Sequence, residues 1–240
     1  MIAVATPTPD SLLLDLALHT RTRAPRARGE TPWRIVTEAI QLFASRGYAG
    51  TSVRQIAAAA GIKPATIYAH FDSKQRILEQ ALGEVLYEFH SFILDAVKAG
   101  EAADEQLRRL VQQHTRWQLR LGKVAGSWDV LWEIEGVAEN LDAAARTQIA
   151  ARRERYHALV EALVAVLRPA DPTPRLRSEA ILALCDRARS WGATGAGADS
   201  EQRVTQAAWE MVAAILACPA GAGCMTPGQA VESPCRPNDR

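Results

Sequence analysis

The sequence predicts an all-α fold, with a small three-helix unit near the N-terminus and longer helices behind it. Ala and Leu dominate the apolar residues, and alternating Val-Ile-Thr runs are hard to find. Apolar residues recur at i, i+3, i+4 and i+7, as in Val36, Ala39, Ile40 and Phe43. The breaks between periodic stretches fall on Gly, Pro and Asp, in "KAGEAAD", "LGKVAGS", "RPADPTP" and "GATGAGADS". A chain of 240 residues with 48% hydrophobic and 23% charged residues is long enough to bury a core in one large domain or two unequal ones.

Residues 1–29, with the cluster "RTRAPRAR", lack sustained periodicity and are expected to form a mobile basic arm with one helical turn at 12–18. The first clear helix opens with Thr31 as N-cap and Pro32 at its first position, and Gly47 closes it. The next opens at Thr51 or Ser52, where Gln55 completes a capping box with Ser52. It ends at Gly61, which can take the left-handed conformation of a tight turn. A short helix over 63–70 tolerates Pro64 in its first turn. A long one restarts at Asp72 or Ser73, with Leu78, Leu82, Val85, Phe89 and Phe92 in helical register. Further helices are expected over 104–121, 127–135, 141–167, 174–191 and 200–217. The stretch 218–240 has no apolar pattern and is expected to be disordered. The implied division is 1–29, 30–80, 81–217 and 218–240.

Several function classes find no support. No apolar run approaches the eighteen or so residues of a membrane helix. The segment "SLLLDLAL" contains an acid and follows no basic residue, so it is a poor signal peptide and a cytoplasmic location is expected. Cys218, Cys224 and Cys235 lie without nearby His, so free thiols are expected rather than a metal or disulfide site. There is no phosphate-cradling glycine loop, no zinc spacing and no Ser-His-Asp set that could be placed together. Neither catalytic residues nor a cofactor are expected, although a helical interaction module or an unrecognised enzyme remain alternatives. Charge gives a positive indication. Residues 21–80 carry ten Lys/Arg against Glu30, Glu38, Asp72 and Glu79, a balance of +6 in a chain of +1, which leaves −5 elsewhere. A basic module on an acidic body suggests a polyanion partner for the module alone.

Two short helices joined by a glycine turn need a small residue at their contact, the glycine, and apolar residues on the inner face of the second helix. Ala57, Gly61, Ile62 and Ile67 supply these. The run "TSVRQIAAAAGIKPATIYAHFDSKQRIL", preceded by a helix ending in "FASRGY", resembles the DNA-binding domain of TetR-type transcriptional regulators. The likeness covers 31–82 and rests on Gly61, Thr66, Tyr68, Phe71, Ser73 and Lys74. It implies a homodimeric repressor that binds double-stranded operator DNA through a helix-turn-helix domain and senses a small molecule through its helical body. With the 63–70 helix in the major groove, Lys63, Ala65 and Thr66 would face base edges. Tyr68 either reaches a phosphate or packs its ring, Lys74 would hold another phosphate, and His70 either packs or reads a base. The resemblance also implies a phosphate contact at Thr51. The Arg cluster at 21–28 either enters the minor groove or is a solvated charge run.

In the body, Phe89, Phe92, His114, Trp117, Trp128, Trp132 and Tyr156 either fill the core or line an apolar pocket. Arg116, Arg120, Arg152, Arg153 and Arg155 lie near them in sequence and would suit a carboxylate or phosphates at its mouth. The run "LWEIEGVAENLDAAARTQIAARRERYHALV" resembles, more loosely, family branches that respond to acyl-CoA or lipid breakdown intermediates. An effector would then move the long helix and lower operator affinity. Two faces, Arg177, Ile181, Leu184, Ala188 and Trp191 and then Val204, Ala208, Met211 and Ile215, either form a four-helix dimer interface or pack within one chain.

Overall fold

The computed structural model describes residues 7–21, 30–124, 138–191 and 198–218, and their regular elements are all helical. They are α1 (Pro9–Arg21), α2 (Thr31–Arg46), α3 (Val53–Ala59), α4 (Pro64–Tyr68), α5 (Lys74–Leu94), α6 (Ala103–Val124), α7 (Ala143–Leu167), α8 (Pro174–Trp191) and α9 (Ala198–Ala217). A single 3-10 turn at Ala138–Asn140 precedes α7.

Local chemistry places most boundaries where the sequence expects them. Ser52 and Gln55 form the full capping box at the start of α3. Ser73 accepts from the Arg76 amide at 3.1 Å and starts α5. Gly47 and Gly61 sit at φ 72° and 65°, a region that other residues enter at a cost. The cap of α2 differs: Glu30, not Thr31, is the N-cap, because Pro32 is fitted to either of the first two helical positions. The helix expected over 63–70 is shorter, with Lys63 as its cap.

Two apolar clusters organise the molecule. The first collects Val36, Ile40 and Phe43 of α2, Ile56 and Ala57 of α3, Ile67 of α4 and Ile77, Leu78 and Leu82 of α5. It also includes Ala145 and Ile149 at the start of α7, so the small unit rests on the body. The second gathers Ile93 of α5, Leu107 and Leu110 of α6, Leu159 and Leu163 of α7, Ile181 of α8 and Ala208 and Val212 of α9.

Two expectations change. Residues 9–21 are not part of a mobile arm: α1 is a thirteen-residue helix that packs against α5 and α7. Leu13 and Leu16 enter the second cluster, and Asp10 accepts from the Gly100 amide and the Gln106 side chain. Burying two leucines is worth about 3–6 kcal/mol, enough to hold a helix that its own propensity would not. Of the α8 and α9 faces considered for a dimer interface, Ile181, Ala188 and Ala208 are fully buried within the chain, Leu184, Trp191, Val204 and Ile215 are half-buried, and Met211 is exposed. Arg177 of the same face pairs with Asp171 and donates to the Ile215 carbonyl. The helix expected at 127–135 and the stretch after residue 218 lie outside the described residues.

If α1 is a core element, Leu16→Ala should lower unfolding free energy by about 2–5 kcal/mol. A denaturant midpoint matching the unmodified protein would contradict this packing.

Candidate functional site

The turn between α3 and α4 is built tightly. Gly61 and Ile62 donate backbone bonds to Ala58 and Ala57 at 3.1 and 3.0 Å. The Arg34 guanidinium on α2 donates to the Ala60 carbonyl at 2.7 Å, satisfying a group that the end of α3 would leave unpaired. Ile67 is fully buried and anchors α4, while Lys63, Ala65, Tyr68 and His70 are exposed and Thr66 is half-buried. Tyr68, at 57% exposure, has its ring outside the core. His70 is likewise on the surface, and Arg54 on α3 adds an exposed cation that sequence reasoning missed. Its signal was there, one position after the apolar Val53.

Two residues expected as phosphate contacts make bonds within the head. Thr51 is 2% exposed, and its hydroxyl lies 2.8 and 3.1 Å from the carbonyls of Gly47 and Leu42. Lys74 donates to the carbonyls of Tyr48 and Thr51 at 2.8 and 2.9 Å. Its ammonium also stands 4.0 Å from the centre of the Tyr48 ring, and desolvation lowers its pKa. Both side chains clamp the turn after α2 to the starts of α3 and α5; the Thr51 hydroxyl is buried in this role, and the half-buried Lys74 ammonium uses two of its three donors on it.

In the body, α5, α6, α7 and α8 enclose an aromatic cavity of about 110 Å³. Phe89, His114, Trp117 and Tyr156 line it, with the Phe89 ring 4.9 Å from His114 and 5.0 Å from Tyr156. Phe92 stacks behind on Trp117 at 5.5 Å and faces a separate groove with Arg116. Trp128 and Trp132, and the side chain of Arg120, lie outside the described residues.

A polar chain crosses this interior. His114 Nε2 lies 2.9 Å from the Asp186 carboxylate, and its Nδ1 lies 3.1 Å from the Tyr156 hydroxyl. One tautomer satisfies both: Nε2–H donates to Asp186, and Nδ1 accepts from Tyr156. Burial works against the Asp186 carboxylate, yet the His114 hydrogen bond, helped by the Arg153 charge, holds its pKa below the ordinary value. Desolvation pushes the Tyr156 hydroxyl well up and raises the adjacent Cys185 thiol, which stays protonated.

A second, larger space of about 780 Å³ lies between the small unit and the body. Its walls include His70, Asp72 and Arg76 on one side and Arg152 and Arg155 of α7 on the other, with Thr20 of α1. His90 and Ile149 line both spaces. His90 is 5% exposed, and burial, followed by the charges of Arg152 and Arg155, lowers its pKa to about 4. Sequence reasoning missed His90, Gln118 and Asp186. His90 directly follows the noted Phe89, but Asp186 reaches the cavity from a helix remote in sequence.

Lys74→Met keeps the apolar stem but leaves two carbonyls without their donor. It should cost about 1–3 kcal/mol in urea unfolding, and an unchanged midpoint would refute the clamp. For His90, the folded pKa lies below the unfolded value near 6.5. Between these values the unfolded chain binds a proton that the folded chain does not, so stability falls as pH falls through the window, by up to about 3 kcal/mol. His90→Phe should remove that part of the slope in unfolding measured from about pH 7 to about pH 4.5.

Residues 35–81 match the model of the family described as bacterial regulatory proteins, tetR family. Over 49 residues the chain is 47% identical to the biofilm operon icaADBC HTH-type negative transcriptional regulator IcaR of Staphylococcus aureus strain Newman. That match covers 20% of this chain and 26% of IcaR, so the chain spans about a quarter of the curated relative's length. Among solved structures, AibR in complex with isovaleryl coenzyme A and operator DNA superposes with a TM-score of 0.65 at 21% identity, over 76% of this chain and 98% of that one. The ketosteroid transcriptional regulator KstR2 of Mycobacterium tuberculosis gives 0.63 at 20% identity, over 81% and 97%. These likenesses extend the shared fold through the body, and over residues 35–81, from α2 into α5, the sequence is similar to the domain described as bacterial regulatory proteins, tetR family.

Proposed function

We propose that the chain is a ligand-responsive repressor that binds operator DNA as a homodimer and releases it when a small apolar or acyl-CoA-like effector enters the body. One observation carries this reading. The edge of α4 formed by exposed Lys63, Ala65 and Tyr68 and half-buried Thr66 stands at the start of α5, and the far half of α5 walls the aromatic cavity with Phe89. Sequence would be read by Lys63 donating to guanine and Thr66 meeting a base or thymine methyl, with the Tyr68 hydroxyl on a phosphate. His70, at the exposed end of the turn, is a candidate for the flanking backbone. Thr51 and Lys74 would support the head from within.

The proposed division is a head over 30–80 and a sensing and dimerising body over 81–217, with α1 attached to the body. Leu176 on α8 and Met211 on α9 are exposed large apolar side chains, and the exposed Ala180, Ala183 and Ala214 beside them leave room for the same residues of a second copy. AibR, with its coenzyme A thioester and operator DNA, supports the ligand class by analogy of fold. Among the described residues no helix is long and apolar enough to cross a membrane.

Phosphate contacts release counterions, so affinity for duplex operator should fall linearly on a log-log plot against salt. Lys63→Ala should cost about 1–3 kcal/mol of binding and relax the preference at the guanine it reads, and Tyr68→Ala should weaken binding about five- to tenfold with an unchanged thermal midpoint. Binding by both variants at the unmodified affinity, measured by fluorescence anisotropy on genomic fragments the protein selects, would refute this placement of α4.

A further inference from the structure

The two internal spaces differ in size and chemistry. Small-molecule sites commonly span roughly 300–1,000 Å³, so the aromatic cavity, at about 110 Å³, is too small for a whole effector. It has room for roughly four groups of water size. The neighbouring cleft, at about 780 Å³, lies within the usual range. His90 and Ile149 form the partition between them, since they line both.

The partition carries an unsatisfied demand. His90 Nε2 is fully enclosed and has no hydrogen-bond partner, and Gln118 Oε1, in the aromatic cavity, is in the same condition. Buried polar groups in folded proteins are nearly always paired, so an orphan beside a cavity points to a missing partner. On the cleft side, Arg155 is occupied by Asp15 at 3.3 Å and lies 3.1 Å from His19. Arg152 has no carboxylate partner among the described residues. Its guanidinium lies against α5 where Gly83 leaves room, since a Cβ there would stand 3.0 Å from the Arg152 nitrogen. Arg152 is exposed and lines the cleft, and the His90 ring lines both spaces, so an unpaired guanidinium and an unpaired, enclosed imidazole nitrogen stand together at the cleft wall as donors for an oxyanion.

We infer that Arg152 and His90 form the anion-binding end of one elongated effector site, which takes a ligand with a short apolar end and a carboxylate or phosphate end. The apolar end occupies the space between Phe89, Trp117 and Tyr156, and the anion sits in the cleft. Resting on the ligand-responsive reading above, the inference adds a route to the head. Asp72 and Arg76, at the start of α5, face the same cleft, so an anion at Arg152 interacts with the head differently as the cleft opens or closes. On the head side Arg76 is paired with Glu79, which leaves Glu30 and Asp72 as the net charge of that wall, so repulsion favours the open position once the anion is seated.

The test is calorimetric titration of the full chain with isovalerate, isovaleryl coenzyme A and free coenzyme A, which separate a carboxylate end from a phosphate end. The unmodified protein should bind either isovalerate or isovaleryl coenzyme A more tightly than free coenzyme A. Arg152→Ala should weaken that binding about ten- to hundredfold, Arg152→Lys less, and His90→Phe should weaken it while keeping the aromatic packing. Circular dichroism melting confirms that each variant is folded. Equal affinities in folded Arg152→Ala, or no binding of any probe by the unmodified protein, overturn the site. Duplex DNA binding in the same samples separates the readings: its absence overturns the repressor assignment, whereas intact DNA binding with unaltered probe affinity in Arg152→Ala overturns only the anion subsite.

Discussion

The structure depends on α5 serving two cores at once. Its first turns bury Ile77, Leu78, Ala81 and Leu82 with the small unit, and its last turns bury Ile93 with the body. A packed interior does not deform continuously, so a displacement imposed on one end of such a helix reaches the other. The start of α7 repeats the arrangement, placing Ala145 and Ile149 in the first cluster and Leu159 and Leu163 in the second. The space between head and body is therefore bounded by the same two helices that connect them.

The body's interior is more polar than its apolar sequence suggests. Tyr156, His114 and Asp186 satisfy one another across α6, α7 and α8, which fixes three helices at one point. A connected network of this kind specifies a single packing, whereas an unpaired buried group costs about 1–3 kcal/mol. His90 and Gln118 retain such unpaired atoms, and both stand at the cavity wall rather than deep in the core. Strain of this sort concentrates where a protein is built to do something other than remain folded.

The head shows how a family resemblance and a local environment can diverge. Thr51 and Lys74 carry polar groups at positions where the resemblance implies contacts with a phosphate backbone. In the fold their polar atoms satisfy carbonyls of the turn after α2, at distances short enough to be committed bonds. Tyr68 and His70, for which packing was an open alternative, are exposed instead. Sequence spacing places a residue at the end of a helix; it does not say which way the side chain turns when a buried carbonyl competes with solvent.

Much of the fold was legible because its signals are local. The capping box at Ser52 and Gln55, the left-handed glycine at position 61 and the serine cap at position 73 each act within four residues, so the sequence determined the helix-turn-helix and the restart of α5. The helical periods of the body were legible for the same reason. Tertiary structure alone decided what depends on distant partners. It docked α1 through Leu13 and Leu16, buried Ile181 and Ala208 within the chain, joined Asp186 to His114, and left Arg152 facing a cleft shared with the head. The physical reason is that apolar periodicity fixes which face of a helix is buried, while only packing selects the neighbour that buries it.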